Sequence, residues 1–163
     1  MITSNGDNLA RRFLYEKYFS GVDVIVELGV ATGLTSKIFL SCVNKKVVGI
    51  DITDEELDPA VFDYANSLGV EFQFIKNNDL LVSPIDCDVL FIDSVHDCEH
   101  TYKELKHFSG NVKKYIALHD VNPALFDTML GVDKWLAEGA NKDWEECYKD
   151  YCICGLLILQ RKN

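Results

Sequence analysis

Residues 22–36, VDVIVELGVATGLTS, predict a strand, a glycine-containing turn and the start of a helix. The apolar, β-branched run Val22–Leu28 is typical of a buried strand. In the turn, Gly29 and Gly33 flank the small Ala31, and glycine adopts backbone conformations that other residues resist. The helix begins near Gly33, where unpaired N–H groups suit an anionic or polar ligand. This stretch alone fits a nucleotide-binding turn and a turn without a ligand equally well.

A second apolar run, KKVVGID at residues 45–51, ends in Asp51, which follows Gly29 by 22 positions. In β-turn-α-β nucleotide folds an acidic residue about 20 positions after the turn contacts a ribose hydroxyl. The dinucleotide fingerprint is G-x-G-x-x-G, whereas this chain has G-V-A-T-G preceded by Glu27. The turn therefore favours a nucleoside-containing ligand but departs from the nicotinamide pattern.

Length and charge limit the classes of protein to consider. The 163 residues predict one domain, with an N-terminal helix in residues 1–20 and a Rossmann-like core in residues 21–163. A net charge of −10 argues against nucleic acid or an anionic membrane as the main partner. No segment approaches the roughly 20 apolar residues of a membrane span, and no signal-peptide pattern begins the chain. The six cysteines show no CxxC pair, so we expect a cytoplasmic protein with free thiols.

Strands alternate with helices along the chain. The predicted strands are Val22–Leu28, Val47–Asp51, Val70–Ile75, Asp88–Ile92, Val112–Leu118, Trp144–Lys149 and Ile153–Gln160. The predicted helices are Asn8–Phe19, Gly33–Cys42, Pro59–Leu68, His96–Phe108 and Ala124–Glu138. This order predicts an α/β domain with a doubly wound, mostly parallel sheet and helices on both faces, closed by an antiparallel strand pair.

Polar or ionisable residues follow five successive predicted strands. In doubly wound sheets, ligands bind beyond the carboxyl ends of the strands. Loop solvation or helix capping would explain one or two such residues but not all five sets. The residues in question are Glu27 and Gly29, then Asp51, Asn77–Asp79, Asp93–His96 and His119–Asn122.

The segments FIDSVHDCEHTYKEL (91–105) and ALHDVNP (117–123) carry the strongest chemical signal. Asp93 leaves one predicted strand, and His119 and Asp120 leave another. Carboxylates that converge with a histidine can bind a divalent cation, and carboxylate-rich sites favour Mg²⁺ or Mn²⁺ over Zn²⁺. His96, three positions after Asp93, could then act as a general base.

A zinc site is the rival interpretation of the same segments. His96, Cys98, His100 and His119 are residue types that bind zinc. On a helix, however, Cys98 points roughly away from the face that His96 and His100 share, so a single tetrahedral site is awkward.

These motifs resemble those of class I S-adenosylmethionine-dependent methyltransferases. In that group an acidic residue precedes a G-x-G-x-G-like turn, with Ala31 here in place of the middle glycine, and another acidic residue ends the second strand. IDSVHDCEHTY and HDV at 119–121 resemble the macrocin-type and cephalosporin hydroxylase-type branch of metal-dependent O-methyltransferases, although Ser94 replaces a usual glycine. The resemblance implies a seven-stranded sheet with a C-terminal hairpin.

The same resemblance implies a role for each motif residue. Glu27, Gly29, Ala31 and Gly33 would form the wall beside the methionine part of S-adenosylmethionine, and Asp51 would bind the ribose hydroxyls. Asn78 or Asp79 would meet the adenine, and Asp93 would border the cofactor. Asp93 and Asp120, with His119, would hold Mg²⁺ or Mn²⁺, and His96 would take the proton from an acceptor hydroxyl.

Three functions remain open from the sequence. The first is metal-assisted O-methylation of a small-molecule acceptor, with a sugar or phenolic hydroxyl favoured by analogy. The second is a nicotinamide-dependent oxidoreductase or epimerase, and the third is a non-catalytic scaffold with a cofactor-binding fold. The chain has almost nothing beyond the core that could cover an acceptor, which would favour a homo-oligomer.

Overall fold

The computed structural model describes residues 4–163 as one seven-stranded sheet with helices around it. The strands are β1 (Val22–Leu28), β2 (Val43–Asp51), β3 (Glu71–Lys76), β4 (Cys87–Ile92), β5 (Val112–His119), β6 (Trp144–Asp150) and β7 (Leu156–Arg161). The helices are α1 (Ser4–Ala10), α2 (Arg12–Phe19), α3 (Leu34–Leu40), α4 (Ala60–Leu68), α5 (Cys98–Phe108) and α6 (Thr128–Ala137).

The strand order is β3-β2-β1-β4-β5-β7-β6. Strands β1 to β5 pair in parallel, whereas β7 lies antiparallel between β5 and β6. The predicted fold, a mostly parallel doubly wound sheet that ends in an antiparallel hairpin, is therefore confirmed.

Each face of the sheet carries its own hydrophobic core, because successive side chains of a strand point to opposite faces. Ile25 belongs to the core under α2, α3 and α4, where Tyr15 and Phe39 are fully buried. Val26 belongs to the opposite core under α5 and α6, where Trp135 packs against the sheet. Helices on both faces exclude water from the sheet, and this explains the long apolar runs in the central strands.

Several element boundaries differ from the predicted ones. The predicted helix Asn8–Phe19 is two helices that meet at Arg11, and its first part extends back to Ser4. The predicted helix from Ala124 begins at Thr128 instead. The Asn122 side chain accepts a hydrogen bond from the Ala124 N–H at 3.0 Å, and this holds the intervening residues in a turn. Asx turns of this kind compete with helix formation.

The observed boundaries of α5 and β7 also differ from the predicted ones. α5 begins at Cys98 rather than His96, because the Asp97 carboxylate caps it by accepting a hydrogen bond from the His100 N–H at 2.8 Å. The predicted strand from Ile153 begins at Leu156, since Ile153 and Gly155 have φ values of +55° and +86° and form a turn.

The neighbouring strands β1 and β4 form the topological switch point, where the chain turns to opposite sides of the sheet. Gly29 leaves β1 with φ +83°, and a Cβ there would lie 2.2 Å from the Asp93 carbonyl oxygen. A glycine is thus required for the two strand ends to approach each other. Among residues 4–163, no helix is long and apolar enough to cross a membrane.

Candidate functional site

A cavity of about 460 Å³ lies at this switch point, beyond the carboxyl ends of β1, β2, β3 and β4. Its volume falls in the range of small-molecule sites, and its place is the one that open α/β sheets use for ligands. The lining residues are Gly29, Ala31, Ile50, Asp51, Ile52, Asn77, Asn78, Asp79, Asp93, Ser94, Val95 and His100. Six of the eight residues that the sequence assigned to cofactor binding line it: Gly29, Ala31, Asp51, Asn78, Asp79 and Asp93.

Asp51 holds the turn that follows β1. Its Oδ2 accepts hydrogen bonds from the N–H groups of Val30 at 2.8 Å and Ala31 at 3.0 Å, and its Oδ1 accepts one from Thr53 at 3.1 Å. Ala31 has φ +46°, a left-handed conformation that costs a non-glycine residue energy. Asp51 therefore fixes the shape of the cavity wall, and because each carboxylate oxygen has two lone pairs it can still bind a ligand hydroxyl.

Glu27 and Gly33 do not line the cavity. Glu27 is fully buried behind the turn, where it accepts a hydrogen bond from the Ser36 hydroxyl, and burial raises its pKa well above the usual value. A Cβ on Gly33 would lie 3.0 Å from a Leu57 methyl carbon. The glycine at position 33 is thus explained by its φ of +78° and by packing next to α4 rather than by a ligand.

A first group of polar side chains, the Glu104 cluster, consists of Asp79, Ser94, His100 and Glu104. Glu104 is fully buried and accepts a hydrogen bond from the Ser94 hydroxyl. His100 Nε2 lies 3.1 Å from Asp79 Oδ2 and 3.6 Å from Glu104 Oε1. Burial and the neighbouring Asp79 raise the pKa of Glu104 well above its usual value, so this carboxyl group favours its neutral form. Sequence reasoning considered His100 only as a ligand of the rival zinc site and assigned no role to Glu104.

A second group, the Asp120 cluster, consists of Asp93, His96, His119 and Asp120 at the ends of β4 and β5. His96 Nε2 lies 2.8 Å from Asp120 Oδ2 and 3.6 Å from Asp93 Oδ1. His119 Nδ1 lies 3.2 Å from both Asp93 Oδ1 and Asp120 Oδ1. The four residues that the sequence proposed for metal binding and base catalysis are therefore in one place.

The Asp120 cluster is ionic. Burial would raise the pKa of Asp120, but the contacts and positive charge of His119 and His96 outweigh this effect and hold the pKa well below its usual value. Burial would lower the pKa of each histidine, yet contacts with Asp120 and Asp93 raise it to about 9 in His96 and about 10 in His119. Both imidazoles therefore favour the charged form at neutral pH.

Helix α1 and Arg11, which follows it, add polar residues around the Asp120 cluster. Asp7 Oδ2 lies 3.0 Å from His119 Nε2, and the Asn8 amide donates a hydrogen bond of 2.9 Å to Asp93 Oδ2. Arg11 lies 3.2 Å from Asp7 and also binds Asp150, and all three polar residues of this segment are buried. The sequence reasoning missed them, although an Asp–Arg pair at i, i+4 was visible.

Asp93, His119 and Asp120 could hold a cation, because one ligand atom from each lies within 4.8 Å of the others. Both oxygens of Asp120 are buried, and among the described residues no group donates a well-aligned hydrogen bond to either. Such orphaned carboxylate oxygens suit a hard divalent cation.

The rival zinc site does not form, because His100 belongs to the Glu104 cluster whereas His96 and His119 belong to the Asp120 cluster.

Comparisons with known proteins find similarity in fold but not in sequence. No protein-family model matches the chain, and no curated protein matches it.

Solved structures of methyltransferases, by contrast, share the fold over almost the whole chain. A ribosomal protein L11 methylase from Lactobacillus delbrueckii superposes with a TM-score of 0.69 at 14% identity, over 97% of this chain and 80% of that one. Magnesium protoporphyrin IX methyltransferase from Synechocystis, with bound S-adenosylhomocysteine, superposes with a TM-score of 0.68 at 12% identity, over 96% of this chain and 81% of that one. An O-methyltransferase from Bacillus cereus superposes with a TM-score of 0.66 at 14% identity, over 96% of this chain and 80% of that one. The chain therefore has the Rossmann-like methyltransferase fold.

Proposed function

We propose that this protein is an S-adenosylmethionine-dependent methyltransferase that methylates a hydroxyl group of a small molecule with the help of a divalent cation. The observation that carries the proposal is the position of Asp93, which lines the cavity and also belongs to the Asp120 cluster. A donor bound in the cavity would thus lie directly beside groups that can bind a cation and move a proton.

The cavity has the features that a nucleoside-containing donor needs. Asp51 at the end of β2 offers a carboxylate to ribose hydroxyls, and Gly29 brings the backbone close to the ligand. Asn78 and Asp79 lie farther along, at the end of β3, where a base attached to that ribose would lie. The S-adenosylhomocysteine in the Synechocystis enzyme and the bound ligand of the Bacillus O-methyltransferase support this choice of donor by analogy of fold.

The Asp120 cluster would act on the acceptor. A divalent cation held by Asp93, His119 and Asp120 would supply positive charge that polarises the acceptor hydroxyl. His96, which is half-buried and packs its ring edge-on against Phe126 at 5.2 Å, would accept the hydroxyl proton at Nδ1, because its buried Nε2 faces Asp120. Because Asp120 and Asp93 raise the pKa of His96 to about 9, the imidazole accepts a proton at neutral pH only when their negative charge is offset.

Ligand binding by purified protein tests the donor. We expect S-adenosylhomocysteine to raise the melting temperature, since a ligand at a hundredfold excess over its Kd stabilises the folded state by about 2.7 kcal/mol. Asp51→Asn should weaken this binding at least tenfold in calorimetry. Asp54→Asn is the matched control, because Asp54 is exposed and, within residues 4–163, its carboxylate pairs with Lys76 alone, outside the cavity. Stabilisation by NAD alone would favour an oxidoreductase, and no stabilisation by either ligand would favour a scaffold.

Methyl transfer to a panel of sugar and phenolic hydroxyls, with Mg²⁺ or Mn²⁺ present, tests the reaction. His96→Ala should lower kcat by about 10²–10⁴ if His96 is the general base. Its affinity for S-adenosylhomocysteine should stay within a few-fold of the wild-type value, because His96 does not line the cavity. A variant that keeps its full rate would contradict the assigned base.

A further inference from the structure

The buried Glu104 lies behind the cavity wall rather than in it. Its side chain is fully buried in α5, and it is absent from the cavity lining. Yet three lining residues lie next to it: the Ser94 hydroxyl donates a hydrogen bond to it, His100 lies 3.6 Å from it, and a carboxylate oxygen of Asp79 lies within 4.8 Å of one of its own. These three residues come from the ends of β3 and β4 and from α5, and Glu104 lies beside all of them.

The surroundings of Glu104 favour a neutral acid. As a carboxylate, Glu104 would leave its buried Oε2 without a hydrogen-bond partner within the described chain. As a carboxylic acid, it can donate its O–H towards the nearby carboxylate of Asp79 while Oε1 accepts from Ser94. The raised pKa of Glu104 agrees with this arrangement, which leaves Asp79 as the ionised partner.

Counting acceptor sites shows what Asp79 can still bind. A carboxylate offers about four lone-pair positions. The Leu80 N–H donates to Asp79 Oδ1 at 2.7 Å, His100 Nε2 approaches Oδ2 at 3.1 Å, and the Glu104 proton would take a third position. This leaves about one position, and because Asp79 lines the cavity we expect it to accept from a ligand group that donates, such as the exocyclic amine of a nucleobase.

We propose that Glu104 is a positioning residue that fixes Asp79, Ser94 and His100 as one rigid wall, and that this wall selects a nucleobase carrying an exocyclic amine. The inference rests on the proposed function, because it needs a nucleoside in the cavity. It adds His100 to the residues that touch the base and gives Glu104 a role in base selection. Glu104 acts through its neighbours and does not contact the ligand.

The test compares two ligands that differ only in the base: S-adenosylhomocysteine and S-inosylhomocysteine, in which a carbonyl replaces the amine. Calorimetry should give the wild type at least tenfold tighter binding of the adenine compound. Glu104→Gln should keep this ratio within about threefold, since its amide donates to Asp79 and accepts from Ser94 as the neutral acid does. Glu104→Met, which can do neither, should bring the ratio close to one while its affinity for the inosine compound changes only a few-fold.

A second variant covers the case in which Glu104→Met does not fold. His100→Ala alters a partly exposed side chain and leaves Glu104 in place, and it should lower the same ratio at least threefold. Equal losses for both ligands or an unchanged ratio in Glu104→Met would overturn the inference alone. Where Glu104→Met does not fold, an unchanged ratio in His100→Ala would do so. Failure of the wild type to bind either ligand would overturn the proposed function and this inference with it.

Discussion

Glu104 and Asp120 are both buried carboxyl groups near the end of β4, yet their environments shift their pKa values in opposite directions. Glu104 faces another carboxyl group, Asp79, and burial with this neighbour favours the neutral acid. Asp120 faces His96 and His119, and these two bases hold it in the ionised form despite its burial. The sign of the neighbouring charge decides the outcome, because burial alone acts in the same direction on both groups.

Two adjacent residues connect these clusters to the cavity. Asp93 contacts the Asp120 cluster, whereas the next residue, Ser94, donates its hydroxyl to Glu104. The cavity thus has a wall backed by the neutral acid Glu104 on one side and the Asp120 cluster on the other. A wall of fixed hydrogen-bonding groups suits recognition of a ligand, and the Asp120 cluster suits cation binding and proton transfer.

Asp120→Asn should have the largest effect, because it removes the more buried of the two carboxylates that face both imidazoles. We expect a loss of about 3 kcal/mol in unfolding free energy, as found when one partner of a buried ion pair is removed. Asparagine tolerates the left-handed conformation of residue 120, which has φ +55°, so backbone strain does not add to the loss. Urea denaturation in the presence of a chelator measures it.

The loss of unfolding free energy in Asp120→Asn should also depend on pH. The raised pKa values of His96 and His119 mean that their stabilisation by Asp120 is complete below the unfolded histidine pKa near 6.5 and declines as pH rises towards about 9 to 10. The difference between wild type and Asp120→Asn should therefore be largest near pH 5.5 and smaller at pH 9. A difference that grows with pH would contradict the ionic description of this cluster.

Asp7→Asn should have an intermediate effect, which we expect as weaker binding of a divalent cation to the Asp120 cluster. Asp7 faces Nε2 of His119 at 3.0 Å while Nδ1 points at Asp93 and Asp120, so Asp7 selects the tautomer whose Nδ1 can bind a cation. Loss of a carboxylate that orients a ligating histidine typically weakens metal binding 10–100-fold. A titration with Mn²⁺ that is monitored by electron paramagnetic resonance measures this cation affinity.

The control for Asp7→Asn is Glu16→Gln in the adjacent helix α2. The Glu16 side chain is 44% exposed and, among the described residues, forms an ion pair with Arg12 alone, so its loss should leave Mn²⁺ affinity unchanged. Equal Mn²⁺ affinity in wild type and Asp7→Asn would remove Asp7 from the description of the cation site.

Glu104→Gln should have the smallest effect on stability, and a pH-dependent one. Because the folded-state pKa of Glu104 is raised, the wild type loses stability relative to the variant as pH rises above the unfolded value of about 4.3. Between pH 4.5 and pH 6, the unfolding free energy of the variant should rise by about 1 kcal/mol relative to that of the wild type. Urea denaturation at the two pH values measures this difference. A pH-independent difference would mean that Glu104 is ionised in the folded protein, like Asp120.

The sequence predicted all four residues of the Asp120 cluster, whereas from the Glu104 cluster it assigned only Asp79 to cofactor binding and gave Glu104 no role. Asp93, His96, His119 and Asp120 directly follow two buried strands, and parallel strands place such residues at one edge of the sheet. Glu104 lies in the middle of a helix at a spacing that looks amphipathic, and its partners come from three separate segments. Asp7, Asn8 and Arg11 were missed for a similar reason, since no local pattern distinguishes a helix face that packs on a site from one that faces water.

The sequence by itself determined the alternation of strands and helices, the buried strands and the glycine turn after β1. These follow from short-range properties: hydrophobic periodicity, β-branched side chains and the conformational freedom of glycine. Only the tertiary structure decided that Gly33 packs next to α4, that Asp51 secures the turn, and that one buried carboxyl group favours its neutral form while another is ionised. The charge of a buried group depends on which partners surround it, and those partners come from distant parts of the chain.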